Sequence, residues 1–319
     1  MRQATFASQG SFERFGRKSK REQFLETIGG VVPWSELESL IEPHYAKAGN
    51  GRQPVGLPIM LRVYFLQHWF NLSDPGAEEA LYESPVLRRF AGVDLGRAAA
   101  PDETTILRFR HLLEQHDLCG KMLDTVNLYL DRKGIRITTG TIVDATIIAA
   151  PGSTKNSTGE RDPEMHQTKK GKQWHFGAKA HIGVDSKEGI VHSVCTSAAS
   201  VSDMHMLADL LHGEERKVWG DGGYQGQGDA IRQAAPHAQD MTCRRTKYKN
   251  YVDEEAKRKN TTKSRVRAKV EHVFRILKRV FGFTKVRYRG LRKNHQWLCA
   301  AFALVNLYQH RKRLAPLGA

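Results

Sequence analysis

Apolar residues recur every three or four positions from about Arg21 to Lys133, which is the spacing of amphipathic helices. The pattern is clear in the segments WSELESLIEPHY, LPIMLRVYFLQHWF and ETTILRFRHLLEQH. Glycine and proline interrupt it, and Pro101-Asp102 followed by two threonines is typical of a helix start. We therefore predict that this part of the chain is entirely helical. Its short helices would form either a helix-turn-helix that reads DNA or a bundle without that role, and the pattern favours neither.

After Gly134 the residue pattern changes to the β-branched and apolar runs that are typical of strands. IRITTGTIVDATIIAA has the composition of a strand buried on both faces, and HFGAKAHIGVD, GIVHSVCTSAA and KVWGDGG indicate further strands. Lys187-Glu188-Gly189 suits a hairpin turn between two of them. Residues 151–171 are rich in Gly, Ser and Lys and predict a mobile loop.

Helical spacing returns towards the end, in MHMLADLLHG, in DAIRQAA, over residues 262–281 and in HQWLCAAFALVNLYQHRKR. The second half is therefore predicted to be mixed α/β, with strands in hairpin order followed by a strand that alternates with helices. We divide the chain into an all-helical N-terminal domain, residues 1–134, and an α/β domain, residues 135–319.

The charge of the chain adds information about its partner, because the 319 residues carry a formal net charge of +16. Residues 244–319 hold 22 Lys and Arg against 4 Asp and Glu, so this quarter carries the whole excess. The distribution predicts a polyanionic partner, with nucleic acid favoured over acidic proteins and anionic membranes. No apolar run approaches the roughly 18 residues that cross a bilayer, and the beginning of the chain lacks the apolar stretch of a signal peptide. We expect a cytoplasmic protein that does not contact a membrane.

Two acidic residues belong to predicted strands. Asp144 lies among apolar residues in TIVDATII, where a buried carboxylate needs a compensating partner such as a cation or a metal ion. Asp221 follows a strand in KVWGDGGYQG, where two glycines let the backbone turn sharply and approach a ligand. A cap at a strand end or a salt bridge would also explain Asp144. Turn geometry alone would also explain Asp-Gly-Gly.

The third acid, Glu271, lies on a predicted helix that can be drawn as a wheel of roughly 100° per residue. Its polar face carries Ser264, Arg267, Glu271, Arg275 and Lys278, while apolar residues occupy the side and rear. The helix is therefore predicted to pack on the sheet and to present one acid surrounded by bases. A surface helix stabilised by ion pairs four residues apart would look similar, but acids are scarce in this segment.

Three carboxylates are oxygen ligands of the kind that Mg²⁺ prefers. Two such ions, roughly 3.5 to 4 Å apart, can activate the attacking oxygen and stabilise the leaving oxygen of a phosphoryl transfer. Two further acids compete for this role, but a hairpin turn explains Asp185 and a helix N-cap explains Asp203. The four cysteines are widely spaced, which indicates reduced thiols and neither a disulfide framework nor a zinc knuckle.

Other polar residues suggest weaker alternatives. A zinc site would draw on Asp203 and on histidines that lack paired ligand spacing, namely His175, His181, His205 and His272. The polar loop before the second strand would either contact DNA or be a solvated basic loop; it contains His166, Lys169, Lys170 and Trp174. Bases interleaved with aromatic residues over 278–297 form the strongest phosphate-binding stretch, although such aromatic residues are more often part of a core.

Together these motifs resemble the bacterial insertion-sequence transposases of the IS5 group, within the IS4-like DDE superfamily. The match covers nearly the whole chain, through PDETTILRFRHLLE, TIVDATII, WHFGAKAHIGVD, GDGGYQG and SRVRAKVEHVFRILK. The resemblance implies an RNase H-like core, dependence on Mg²⁺ with Mn²⁺ as a substitute, and a homodimer that moves its own element on double-stranded DNA. It implies Asp144, Asp221 and Glu271 as the catalytic, metal-binding triad, and N-terminal helices that bind DNA ends or dimerise.

The family signature around the glutamate, Tyr-x-x-Arg-x-x-x-Glu followed by Lys, is met by Arg267, Glu271 and Lys278. Ser264 stands where the tyrosine would be; it can hydrogen-bond a phosphate but cannot stack on a base. The predicted DNA-binding residues are Arg267, Arg275, Lys278, Arg279, Lys169, Lys170 and Ser264. Two alternatives stay open: a nuclease with the same core that does not join strands, and a DNA-binding derivative that does not cut.

Overall fold

The computed structural model describes residues 17–50, 53–156, 159–247 and 251–315. Before the sheet it contains the helices α1 (Lys20–Gly29), α2 (Trp34–Ile41), α3 (Leu57–Phe70), α4 (Asp74–Glu83), α5 (Pro85–Ala91), α6 (Glu103–Gln115) and α7 (Leu118–Arg132). The predicted start of α6 is confirmed, because the Asp102 carboxylate accepts a hydrogen bond from the Thr105 amide at 2.7 Å. In the described part of residues 1–134 every regular element is a helix, which likewise confirms the predicted helical character there. Residues 1–16 of the predicted domain lie outside the described residues.

The sheet consists of β1 (Gly140–Ala149), β2 (His166–Lys170), β3 (Gln173–Asp185), β4 (Val191–Ala198), β5 (Lys217–Trp219) and β6 (Gln239–Asp240). The long strand β3 pairs antiparallel with β1, β2 and β4. On the other side of β1, β5 joins in parallel, and β6 then joins β5 in parallel. The lateral order β4-β3-β1-β5-β6, with helices packed on it, is the mixed sheet of an RNase H-like core. This part of the prediction is confirmed.

The remaining helices are α8 (Gly228–Ala234), α9 (Glu254–Arg275), which continues as a π-helical turn (Ile276–Val280), and α10 (Leu291–Leu314). Within the parts of the chain that the structure describes, no helix combines the length and the apolar character needed to cross a lipid bilayer.

Two predictions about local structure were wrong. The segment expected to be one mobile loop contains β2, a polar strand that pairs with the first part of β3. MHMLADLLHG forms two short 3₁₀ turns, Asp203–Met206 and Ala208–Leu210, and not an α-helix. These turns place Leu207 and Leu210 against the sheet, so packing of the two leucines is achieved without a regular helix.

The helical region and the sheet share one hydrophobic core. A single cluster joins α1 to α7 with one face of the sheet, α9 and α10. At its centre the His68 ring of α3 stacks on Trp297 of α10, with centroids 4.3 Å apart. The Asn306 amide of α10 donates to both the Asn127 side chain and the Val191 carbonyl, at 2.8 Å each. The predicted division at residue 134 therefore falls in a connection between elements that are packed together.

A smaller cluster covers the opposite face of the sheet. Its buried members are Val143, Leu207, Leu210, Val218, Tyr224 and Ile231. The sheet is thus buried on both faces, as predicted for the run that became β1.

β1 has one incompletely paired edge. Along one side β3 accompanies it from Thr141 to Ala149. On the other side, β5 pairs with Gly140–Ile142, and Lys285 forms a bridge to Ala149. Between these two contacts, no strand of the described chain pairs with β1.

Backbone groups of alternate residues point to the same edge of a strand. Those of Ala145 and Ile147 therefore face this gap, like those of Ala149.

Candidate active site

Asp144 lies on β1 at this gap, and its side chain is 13% exposed. One carboxylate oxygen accepts from the Ala145 amide at 2.8 Å, and the other accepts from the Arg267 guanidinium at 3.2 Å. The pKa of Asp144 is raised to about 6, mainly by burial and also by the charges of Asp221 and Glu271, against the opposing effect of the Ala145 amide and Arg267. The three predicted acids are therefore close enough to interact electrostatically.

Asp221 follows the last residue of β5 by two positions and begins a 3₁₀ turn, Gly222–Tyr224. Its carboxylate accepts a hydrogen bond from the Gly223 amide at 2.8 Å. A glycine is required immediately before it, because a Cβ at Gly220 would lie 2.9 Å from the Tyr224 ring. The close approach of Tyr224 to the backbone thus fixes the turn that carries Asp221.

Glu271 projects from α9, and its side chain is 61% exposed. Val270 and Val273 on the same helix are fully buried against the sheet, as the helical wheel predicted. Arg267 lies one turn earlier and approaches Glu271 to 3.7 Å. The predicted apolar stripe is wrong at its end, where Val280 is 42% exposed. The π-helical turn has more residues per turn than an α-helix and rotates this position away from the stripe.

The three acids line one pocket of about 780 Å³. Most of the predicted DNA-binding residues line the same pocket: Arg267, Arg275, Lys278, Arg279, Lys169 and Lys170. Ser264 is not among the residues that line it; its hydroxyl lies 4.0 Å from the Cys243 sulfur. The pocket therefore combines the three acids with cations from α9, the π-helical turn and β2.

Lys278 contributes to both the pocket and the sheet. Its ammonium donates a hydrogen bond to the Ile147 carbonyl at 2.7 Å, at the gap in the edge of β1. Burial lowers the pKa of Lys278, and the charge of Lys170 lowers it further, whereas Glu271 raises it. The lysine is thus held between the strand that carries Asp144 and the helix that carries Glu271.

Comparison with known proteins identifies the family. The family model described as "Transposase DDE domain" matches residues 136–307, which is more than half of the chain. This protein belongs to the DDE transposases. A second family model, "Transposase domain (DUF772)", matches residues 13–112 and so covers most of the helical region. The transposase is an enzyme that cleaves DNA and transfers strands, and DDE domains depend on divalent metal ions.

The two competing acids of the transposase have different environments. The Asp185 carboxylate accepts hydrogen bonds from the amides of Thr138, Lys187 and Glu188. These bonds fix the turn between β3 and β4, and the assignment of Asp185 to a hairpin turn is confirmed.

The N-cap assignment for Asp203 was wrong. Ser202 is the cap residue of the 3₁₀ turn, and neither residue makes a side-chain capping bond there. Asp203 lines the pocket and forms an ion pair with Lys179 of β3 at 2.9 Å. Sequence reasoning considered Asp203 only as a competing acid and a zinc ligand, and it missed Lys179. A lysine in the strand HFGAKAHIGVD, which is otherwise largely apolar, was a signal comparable to Asp144 in β1.

The pocket residues fit a divalent cation. In the described residues no three His, Cys, Asp or Glu side chains converge as a ready metal cluster, and the histidines of the alternative zinc site form none. Between Asp144 and Glu271 lies the Arg267 guanidinium, which balances their charge. Three carboxylates in one pocket, one of them buried beside like charges, form an oxygen-only donor set that suits a hard cation.

Proposed function

We propose that Asp144, Asp221 and Glu271 are the catalytic triad of this transposase and hold two divalent ions, Mg²⁺ in the cell with Mn²⁺ as a substitute. The observation that supports the proposal most directly is that these three carboxylates line one pocket together with cations, at the unpaired edge of β1. Ions held by these residues would activate the attacking oxygen and stabilise the leaving oxygen of the phosphoryl transfer.

The residues of the chain have distinct tasks in this proposal. Asp144 on β1 and Asp221 on the turn after β5 would supply ligand oxygens, and hydrogen bonds from backbone amides orient both carboxylates. Glu271 supplies its carboxylate from the exposed face of α9. Arg275, Lys278 and Arg279 neutralise DNA phosphates beside the acids.

We further propose that the enzyme belongs to the IS5 group, since Arg267, Glu271 and Lys278 match the spacing of that signature. It would act as a homodimer on the terminal inverted repeats of its element, in the bacterial cytoplasm. The helical region, residues 1–134, would serve DNA-end binding or dimerisation. A size measurement of the protein–DNA complex tests the dimer.

The triad is tested with a labelled duplex that carries the terminal repeats of the element, a target plasmid and Mg²⁺. Asp144→Asn, Asp221→Asn and Glu271→Gln should bind the duplex but neither nick nor join it. Glu255→Gln is the matched control, because Glu255 is an exposed acid at the other end of the same helix. If the triad variants cut as well as the wild type, the proposal is wrong.

Metal dependence is tested in the same assay. Chelation with EDTA should abolish cleavage, and either Mg²⁺ or Mn²⁺ should restore it. Activity that survives in EDTA would contradict a metal-dependent triad. Covalent joining of the labelled end to the plasmid distinguishes a transposase that completes strand transfer from a nuclease that only hydrolyses DNA.

A further inference from the structure

The active-site pocket receives side chains from both faces of the sheet. Asp144 points towards α9, as its contact with Arg267 shows. Lys179 pairs with Ile147 in the β1–β3 register. Since side chains alternate along a strand, Lys179 projects from the face opposite to Asp144. Both residues nevertheless line the pocket, because it is formed at the open edge of β1, where both faces are accessible.

Lys179, like Lys278, is held in place, unlike the two lysines that β2 contributes to the pocket. Its side chain is 13% exposed, and its ammonium lies 2.9 Å from an Asp203 oxygen. The same ammonium donates to the Val201 carbonyl at 2.7 Å. Lys169 and Lys170 on β2 are exposed. An ion pair at such low exposure costs desolvation that two apolar residues would avoid, so stability alone does not account for it.

Two fully buried polar side chains lie beside Asp203 and have unsatisfied atoms. His181 Nε2 donates to the Ser197 hydroxyl, whose own proton goes to the Ala198 carbonyl. His181 Nδ1 is therefore an acceptor that faces Asp203 at 3.8 Å. Among the described residues, neither this nitrogen nor the Tyr224 hydroxyl has a hydrogen-bond partner.

Tyr224 links this group to the triad. Burial raises the pKa of Tyr224, and among neighbouring charges Asp203 raises it most, followed by Asp144 and Asp221. Its hydroxyl thus lies in the field of the pocket acids, and its ring supports the turn that carries Asp221. Neither His181 nor Tyr224 is among the residues that line the pocket, so Lys179 and Asp203 are the members of this group that a ligand in the pocket can reach. Of these two, Lys179 is the cation that can bind an anionic oxygen.

We propose that Lys179 binds a phosphate of the DNA strand in the active site and that Asp203 is its positioning residue. The proposal rests on the proposed function of the triad. The cations of α9 approach the strand from one face of the sheet, and Lys179 approaches it from the other. DNA that reaches the triad across the open edge of β1 is then held from both sides.

The first test measures the salt dependence of DNA binding in EDTA, with a fluorescent duplex that carries the terminal repeat. The logarithm of the binding constant K falls as the logarithm of the salt concentration rises. Loss of one phosphate contact should make this negative slope shallower by about 0.9. Lys179→Gln should show this loss, whereas Lys179→Arg should keep the wild-type slope. Lys217→Gln is the matched control, since Lys217 is an exposed lysine of the same sheet outside this pocket. An equal slope for Lys179→Gln and Lys217→Gln would overturn the proposal.

The second test exploits the sign of the charge. Removing an acid near a polyanion ordinarily strengthens binding, but a positioning role predicts that Asp203→Asn weakens it and slows cleavage. Asp209→Asn, an exposed acid on the neighbouring turn, should bind as tightly as wild type or more tightly. Tighter binding and undiminished cleavage by Asp203→Asn would exclude a positioning role. If Lys179→Gln does not fold, the proposal is tested with Asp203→Asn and Lys179→Arg.

The two proposals fail in different ways. Binding in EDTA does not depend on the metal ligands, so the slope reports on Lys179 even if the triad is misassigned. Cleavage by the triad variants would refute the proposed function and leave the slope result intact.

Discussion

The two long C-terminal helices of the transposase, α9 and α10, are similar in length, but most residues of α10 are buried and most residues of α9 are not. α10 has 24 residues, of which fourteen are buried, and it touches both the helical region and the sheet. α9 has 22 residues, of which only four are buried. The comparison separates two tasks. α10 holds the two parts of the chain together, whereas α9 is anchored over a short apolar segment and presents its charged side chains to the pocket.

The largest expected effect is on activity, in α9. Glu271→Gln should lower the cleavage rate at least 10³-fold, which is about 4 kcal/mol of transition-state stabilisation. Because the side chain is largely exposed, the free energy of unfolding should change by less than about 0.5 kcal/mol. Cleavage kinetics and thermal unfolding of the same preparation measure both quantities. A large loss of stability would show that α9 is part of the structural framework.

In α10 the expected effect is on stability. Phe302 is fully buried, and Phe302→Ala should lower the free energy of unfolding by about 3 to 5 kcal/mol through lost burial and a cavity. Urea unfolding measures this loss. Leu128→Ala is the control, because Leu128 is 63% exposed on α7. A loss for Phe302→Ala no greater than that of the control would contradict the structural role of α10.

The contact between α3 and α10 should make stability dependent on pH. The pKa of His68 is lowered to about 4, mainly by burial and also by the charge of Arg287, against the opposing effect of its hydrogen bonds with the Tyr64 and Trp297 carbonyls. In the unfolded chain this pKa is about 6.5, so between these values only the unfolded state takes up the proton. Stability is therefore fully present above about pH 6.5 and falls as the pH decreases towards 4, by on the order of 3 kcal/mol.

His68→Phe isolates this contribution, because phenylalanine preserves the ring stack on Trp297 and does not titrate. Other buried histidines, such as His181 and His192, are the same in both proteins. Unfolding free energies of the two proteins between pH 7 and 4 should therefore diverge. Parallel curves would show that His68 takes up its proton at the same pH in the folded and unfolded states, which would contradict the lowered pKa.

The smallest expected effect is at the start of α9. The Asp253 carboxylate caps this helix by accepting from the Ala256 amide at 2.8 Å. Asp253→Ala should cost about 1 kcal/mol of local helix stability. Since the first turns of α9 bury only Ala256, the loss should appear as faster amide exchange there, with cleavage retained. Asp102→Ala removes the same kind of cap from α6, which packs in the core, and should lower global stability. Equal losses of global stability for Asp253→Ala and Asp102→Ala would contradict this difference between α9 and α6.

Local periodicity was sufficient to predict the elements that are regular and amphipathic. Glu271 and Arg267 share a face of α9 because a helix has a fixed number of residues per turn. The π-helical turn broke this rule at Val280, and an apolar pattern does not indicate a change of helix type. β2 was missed because HQTKK has no apolar alternation, and its pairing depends on the extension of β3 beyond β1.

The acids of the site could be selected from the sequence, but their partners could not. Asp203 and Lys179 are 24 positions apart and meet only because the turn after β4 returns over the face of β3. For a similar reason the charge balance of Asp144 by Arg267 follows from how α9 crosses β1. These contacts are tertiary, so neither spacing nor residue type predicts them.

The gap in the edge of β1 has a further consequence for the behaviour of variants. An unpaired strand edge can add a strand from another molecule and so promote aggregation. Here the Ala145 amide and the Ile147 carbonyl are occupied by Asp144 and Lys278. Active-site side chains thus block edge-to-edge association. Asp144→Ala would leave the Ala145 amide without a hydrogen-bond acceptor, whereas Asp144→Asn keeps a side-chain oxygen for it. Insolubility of the alanine variant would therefore indicate strand addition at this edge and would say nothing about catalysis.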